Sequence, residues 1–259
     1  MLLCVLCSSS LGFDRRGHSV TEGEILRLRN KSVLITGASR GIGLAVARVL
    51  AAEGCRLIIT GRNAPTLNKA AKQLGRRTLP LVCDVQDPAQ VRATFAAIRR
   101  QFGHLDILVN NAGIAHATLP VAELPFDTWR AVINTNLNGM FLVTQRALPL
   151  MMRGSVIVNN LSIAAKRVFS GGSAYNASKH GALGFTNTLR EELREKGIRV
   201  IALLPGATDT DIWDSCWPGA PRKKMMSPET VAKALLCALV LPKQTTMEEL
   251  TVLPSAGVL

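Results

Sequence analysis

Residues 32–43 read SVLITGASRGIG and run directly into LAVARVLAAEG at 44–54. A β-branched apolar run, a turn holding three glycines and a stretch of helical period form one strand-turn-helix unit, and that order decides the fold. Gly37 permits the tight turn, Gly41 lets backbone approach a bound group, and Gly43 allows close packing of helix on strand. The helix start then offers unpaired N–H groups and a partial positive charge, which suit a pyrophosphate. Gly37, Ser39, Arg40, Gly41, Ile42 and Gly43 are therefore the candidate dinucleotide cradle.

Outward from this unit the same alternation repeats. Further apolar runs stand at 56–60, 79–83, 106–110, 155–160, 198–204 and 249–253, and with 32–36 they make seven expected strands. Helices are expected at 42–53, 64–75, 88–102, 125–152, 174–196 and 228–240. Asp87-Pro88 and Ser227-Pro228 each set a capping side chain before a proline, while Gly54, Gly75, Gly103 and Gly197 stand where helices must stop. The strands are continuously apolar, so both faces of the sheet must be covered. The expected fold is α/β: a single doubly wound, Rossmann-type domain over 31–259, with a seven-stranded parallel sheet flanked by helices on both faces. Residues 1–30 read as a poorly ordered N-terminal extension.

The 259 residues are 47% hydrophobic, enough for a large core, and carry a formal charge of +13. That charge suits nucleic acid, an anionic substrate or a phosphorylated cofactor. With aromatics at 4% and the basic residues scattered, nucleic-acid binding is not expected. Six dispersed cysteines, Cys4 and Cys7 the nearest pair, lack the partners of a metal site and fit a reducing, cytoplasmic setting. No apolar run reaches the roughly 20 residues of a membrane span, so no membrane anchor is expected.

An NAD site would carry Asp or Glu at the end of the second strand to hold the ribose 2′-OH. This chain has Gly61-Arg62 there, with Arg40 in the glycine turn, and two guanidinium groups can grip a 2′-phosphate bidentately. NADP is the expected cofactor. Tyr175 and Lys179 lie four apart in a helical stretch and so share a face. A phenol that exchanges protons at neutral pH needs a neighbouring cation, and Lys179 has the spacing to supply it.

Several spaced motifs extend this pattern: Asp84-Val85 after the third strand, Asn110-Asn111-Ala112-Gly113 after the fourth, Asn136 in NTNLNG, Ser162 thirteen residues before Tyr175, and Pro205-Gly206 after the sixth. Taken in order, they make residues 31 to about 253 resemble the short-chain dehydrogenase/reductase family. The resemblance implies that Asp84 and Val85 meet the adenine end and that Asn111, Ala112 and Gly113 wall the cofactor cleft. It implies a catalytic set of Asn136, Ser162, Tyr175 and Lys179. Ser162 would align the substrate carbonyl, Tyr175 exchange the proton, Lys179 hold the nicotinamide ribose and tune Tyr175, and Asn136 position a relaying water. Pro205, Gly206, Thr208 and Thr210 correspond to the loop that meets the nicotinamide, Thr210 at the better-matched place.

Residues 208–226 are rich in breakers and are expected to form a mobile substrate lid, on which Trp213 and Trp217 could line an apolar face and Arg222, Lys223 and Lys224 could meet an anion. The chain end, LPKQTTMEELTVLPSAGVL, resembles that of broad-specificity NADP-dependent 3-hydroxy acid dehydrogenases, which puts small hydroxy or keto compounds first as substrates. A 3-ketoacyl thioester reductase is the alternative, and a non-catalytic NADP-binding sensor a more distant one. The resemblance further implies a homodimer or homotetramer. No metal is expected.

Overall fold

The computed structural model describes residues 28–242 and 244–258, and the expectations for residues 1–27, including Cys4 and Cys7, lie outside them. Seven parallel strands form one sheet in the order β3-β2-β1-β4-β5-β6-β7: β1 Ser32–Ile35, β2 Arg56–Gly61, β3 Thr78–Val82, β4 Ile107–Asn110, β5 Val156–Asn160, β6 Arg199–Pro205 and β7 Glu249–Val252. The central register pairs Leu34 with Ile58 on one side and with Leu108 on the other. Strand order reverses between β1 and β4, and the crevice outside their carboxyl ends is where such sheets bind ligands.

Successive strand residues belong to opposite cores, which is the physical content of the doubly wound arrangement. Val33, Ile35, Leu57, Ile59, Val109 and Val158 pack with α1 (Gly41–Ala52), α2 (Ala64–Leu74) and α8 (Pro228–Leu239). Leu34, Ile58, Leu108 and Ile157 pack with α3 (Pro88–Phe102), α5 (Gly139–Ala147) and α6 (Ser173–Arg194). Full burial of each such side chain stabilises the fold by about 1.5–3 kcal/mol. The expected caps form: Asp87 accepts from the N–H groups of Ala89 at 2.7 Å and Gln90 at 3.3 Å, and Ser227 accepts from Thr230 N at 3.2 Å.

Two boundaries differ from expectation. The body begins by Leu28, not at residue 31: Leu28 is buried, its carbonyl accepts from Cys55 Sγ at 3.2 Å, and Asn30 N donates to Gly54 O at 2.9 Å. The single helix expected over 125–152 is broken into α4 (Phe126–Ile133), a π turn at Asn134–Asn138, α5 and a 3-10 turn at Leu148–Leu150. Pro149 accounts for the tightened end. The π turn widens the helix by one residue, a feature that gathers at functional sites, and it brings Asn136 inward.

Candidate active site

The carboxyl ends of β1, β4 and β5 are tied by short polar bonds. Thr36 Oγ1 accepts from Asn111 N at 2.9 Å and Ala112 N at 3.0 Å, so the turn after β4 is pinned to the end of β1. Asn111 Nδ2 donates to Thr36 O at 2.8 Å and Gly37 O at 3.0 Å, while Asn111 Oδ1 accepts from Asn160 Nδ2 at 2.8 Å. Gly37 has φ +64°, and a Cβ there would lie 2.9 Å from Ala112 Cα. A Cβ on Gly43 would lie 2.4 Å from Asn111 Nδ2 and 2.7 Å from Gly37 O. Gly43 thus makes room for the asparagine that joins the two turns, a closer reason than the helix-on-strand packing expected of it.

Helix α1 starts at Gly41 with no side-chain cap and no acidic residue in its first turn, so its leading N–H groups and dipole are offered to a ligand anion. Arg40 stands at that cap, and Thr210 reaches it from the far side, its Cγ2 3.3 Å from where a Gly41 Cβ would be. Ser39 Oγ sits 3.6 Å from the equivalent point on Gly61 at the end of β2, beside the exposed Arg62. Asp84 Oδ1 is bound by Gln86 N at 3.0 Å, and Val85 is buried against Gly139. An uncapped helix, a cradle that side chains would fill and two cations at its rim fit a phosphorylated dinucleotide.

Tyr175 and Lys179 project from one face of α6, the Lys179 Nζ lying 5.5 Å from the Tyr175 ring centroid and donating to Asn160 O at 3.1 Å. Ser162 starts the 3-10 turn after β5, accepts from Ala164 N at 3.1 Å and stands near enough to the phenol to draw its proton affinity down. Burial pushes the Tyr175 phenol up to about 12 against the opposing pull of Ser162, with Cys216 adding to the rise. Burial likewise brings the Lys179 ammonium down to about 8. Desolvation therefore outweighs the lowering of the phenol expected from Lys179, and Tyr175 stands as a protonated donor at neutral pH. Gly113 lies beside the ammonium, a Cβ there falling in ordinary contact with Lys179 Nζ at 3.8 Å.

Asn136, only 1% exposed, accepts from Ile114 N at 2.9 Å through Oδ1 and donates through Nδ2 to Ile114 O at 2.9 Å and Ser178 Oγ at 3.0 Å. Its amide clamps the loop after β4 to α6, so a relaying water at this place would have to be held by backbone. Thr36, Asn159, Asn160, Ser178 and Thr186 were not singled out by the sequence, yet they carry the network: Asn110 Nδ2 donates to Asn159 Oδ1 at 2.9 Å, and Asn159 Nδ2 to Thr186 Oγ1 at 2.9 Å. Their one signal is the asparagine pair ending each of two apolar strands.

Over the site, residues 208–226 hold a short helix, α7 (Trp213–Cys216), that the sequence did not show. Thr208 is buried and donates to Gly206 O at 3.0 Å, whereas Thr210 faces the glycine turn. Arg222, half-buried, is spent within the segment, which it ties to Asp209 at 2.8 Å, Thr210 O at 2.8 Å and Asp214. Arg40 reaches Asp211 at 3.2 Å, both side chains being largely exposed.

This fold and this arrangement at the β1–β4 crevice are those of a nicotinamide-dependent oxidoreductase. A profile of the short chain dehydrogenase family matches residues 31–220, and the chain belongs to that family, whose members transfer hydride between a nicotinamide cofactor and a hydroxyl or keto group. It is similar to a 3beta-hydroxysteroid dehydrogenase of Mediterraneibacter gnavus, 40% identical over 190 residues, covering 72% of this chain and 69% of the relative. Among solved structures it resembles a Burkholderia cenocepacia short chain dehydrogenase in complex with NADP, with TM-score 0.80, 34% identity and coverage of 89% and 99% of the two chains. It also resembles a Brucella melitensis 3-ketoacyl-(acyl-carrier-protein) reductase complexed with NADH, with TM-score 0.81, 29% identity and coverage of 88% and 98%.

Proposed function

We propose that this chain is an NADP-dependent carbonyl reductase and secondary-alcohol dehydrogenase acting on a free, low-molecular-weight hydroxy or keto compound. The observation that carries the reading is the convergence of the Ser162 hydroxyl, the Tyr175 phenol and the Lys179 ammonium beside the glycine turn. NADP is favoured over NAD because no carboxylate ends β2, where Arg62 follows Gly61 with Ser39 beside it, and because Arg40 stands at the cap of α1. The Burkholderia structure, bound to NADP, supports that choice; the Brucella structure was solved with NADH.

NADPH, when bound along Gly37–Gly43, the Asn111–Gly113 turn and Thr210, supplies the hydride. Ser162 aligns the carbonyl oxygen by a hydrogen bond, so that transfer begins from a near-attack geometry. Tyr175 delivers its proton to that oxygen as negative charge develops on it, or removes one in the oxidative direction. Lys179 stabilises the phenolate left behind and would hold a ribose hydroxyl of the cofactor. Asn136 positions α6 against the loop after β4. Reduction of a 3-ketoacyl thioester is the second reading, favoured by the likeness to the Brucella enzyme. A homodimer or homotetramer is part of the proposal, with α6 as one contact; the exposed Phe141, edge-on to Phe185 of that helix at 6.1 Å, leaves an apolar side chain for it to cover. The four cysteines among the described residues are unpaired, which suits a cytoplasmic setting.

The test is NADPH absorbance with a panel of ketones, β-keto esters and quinones. Tyr175→Phe should keep NADPH affinity, read by fluorescence, and lose turnover by about 10²-fold or more. Undiminished turnover in that variant would remove Tyr175 from the chemistry.

A further inference from the structure

The mouth of the site says more about the molecule that enters it, an inference resting on the reading above. Three segments are stitched together over Tyr175. Thr118 Oγ1 donates to Cys216 O at 3.1 Å, and Leu119 N donates to Gly171 O at 3.0 Å. Asn176, which follows Tyr175, donates through Nδ2 to Phe169 O at 2.8 Å. The seam is tight: a Cβ on Gly171 would lie 2.4 Å from Thr118 Cγ2.

These three segments present large apolar side chains outward. Val121 is 75% exposed, Val168 78%, Phe169 37% and Trp217 46%, four of the nine large exposed apolar residues among those described. Trp217 is held in place from below, edge-on to Trp213 at 6.3 Å, whose Nε1 donates to Thr208 O at 2.8 Å. Part of the charge on these segments is paired, Asp214 with Arg222 and Lys166 with Glu249, while Glu123, Arg167, Lys223 and Lys224 stay exposed beside the apolar side chains. Exposed apolar side chains gathered around one cleft mark a ligand surface, since scattered ones would carry no such meaning. Two of the four are flat aromatic rings, which match the face of a ring better than a short polar acid.

We propose that the substrate is a ketone or secondary alcohol with a ring-containing apolar body, reacting at Ser162 and Tyr175 while that body lies against Val121, Val168, Phe169 and Trp217. The reaction is unchanged: the carbonyl carbon gains the hydride from NADPH, its oxygen gains the Tyr175 proton, and the products are the alcohol, NADP⁺ and a Tyr175 phenolate that takes a proton back from water. What the rim decides is which carbonyl compounds dwell there long enough to react.

The experiment compares 2-decalone with acetoacetate under saturating NADPH, using the full-length protein. The expected result is kcat/KM at least 100-fold higher for 2-decalone, on the scale that a few additional methylenes contribute in an apolar pocket. Phe169→Ser and Trp217→Ser should each cut that preference by about tenfold, through KM for 2-decalone. Met152→Ser, an exposed apolar site at the opposite end of the sheet, should leave the preference as it is. Equal or better use of acetoacetate overturns this inference alone. Failure to reduce any ketone while NADPH binds overturns the functional reading as well. A changed oligomeric mass in Phe169→Ser with the preference intact would make the patch a contact between copies of the chain, and would overturn the inference too.

Discussion

Replacing Lys179 by Met should make the cofactor-free protein more stable at pH 7 and nearly inactive. The ammonium is 5% exposed, and burial brings it from 10.5 to about 8. At about 1.4 kcal/mol for each tenfold in proton affinity, holding the charge in the folded chain costs about 3 kcal/mol. Met fills a similar volume without that charge, but leaves Asn160 O without its donor, a loss of about 1 kcal/mol. A net gain of about 2 kcal/mol corresponds to about 4–8 °C in melting temperature for a chain of this size. The pH dependence supplies the control. Because the folded value lies below the unfolded one, the unfolded chain binds more protons between pH 8 and 10.5, so wild-type stability from this group rises with pH across that window. The penalty is complete below pH 8 and gone by 10.5. Cys55 and Tyr175, both raised by burial to about 12, act in the opposite sense, but they are common to both proteins and cancel in the difference. The Met variant's advantage should therefore shrink from pH 7 to 10.5 in parallel thermal melts. A variant less stable than wild type at pH 7, or an advantage that does not change with pH, would refute the claim that this lysine is held at a desolvation cost.

Two further outcomes probe the cofactor cradle. Arg62→Asp should shift the ratio of kcat/KM for NADPH over NADH toward NADH by about tenfold or more, since it removes a charge-assisted contact and adds a carboxylate where a ribose 2′-OH would be held; an unchanged ratio would assign the 2′-phosphate to Arg40 and Ser39. Gly43→Ala should lower stability by about 1–3 kcal/mol and weaken NADPH binding, measured by thermal melt and fluorescence titration, because the added Cβ meets Asn111 Nδ2 at 2.4 Å and Gly37 O at 2.7 Å. Gly184→Ala, inside α6 with nothing within 4 Å of its Cβ, should be neutral or stabilising and serves as its comparison.

Much of this architecture is legible in the residues because burial on both faces leaves strands with no polar alternation, as in ILVN at 107–110, and because glycines and capped prolines punctuate the helices between them. The pairing of Tyr175 with Lys179 is legible for a related reason: helical spacing of four is a geometric fact before any tertiary contact forms. The π turn at 134–138 is not, since one extra residue barely alters the apolar period across 126–147. Nor is the strapping of the lid by Arg222: a basic run beside breakers carries no mark that its first member pairs with carboxylates eight and thirteen residues earlier.

The asparagines show why a site can be built from residues that no single motif reveals. Asn110 and Asn159 end neighbouring strands whose other members are apolar, and in register they face each other across the β4–β5 pair. Burying two amides there is costly unless both are bonded, and the donors are: Asn110 to Thr144 Oγ1 at 2.9 Å and to Asn159 Oδ1, Asn159 to Thr186 Oγ1 on α6. The chain so formed runs from the end of β4 through β5 into the helix that carries Tyr175 and Lys179, while Asn160 and Asn111 repeat the link toward the glycine turn. An apolar pair of equal volume would pack as well, but could slide along the strand direction without penalty. Amides bonded in series cannot slide without leaving buried donors unpaired, at about 1–3 kcal/mol each. The cradle, Ser162 and the α6 pair are thus held in mutual register by hydrogen bonds whose directionality the apolar core lacks.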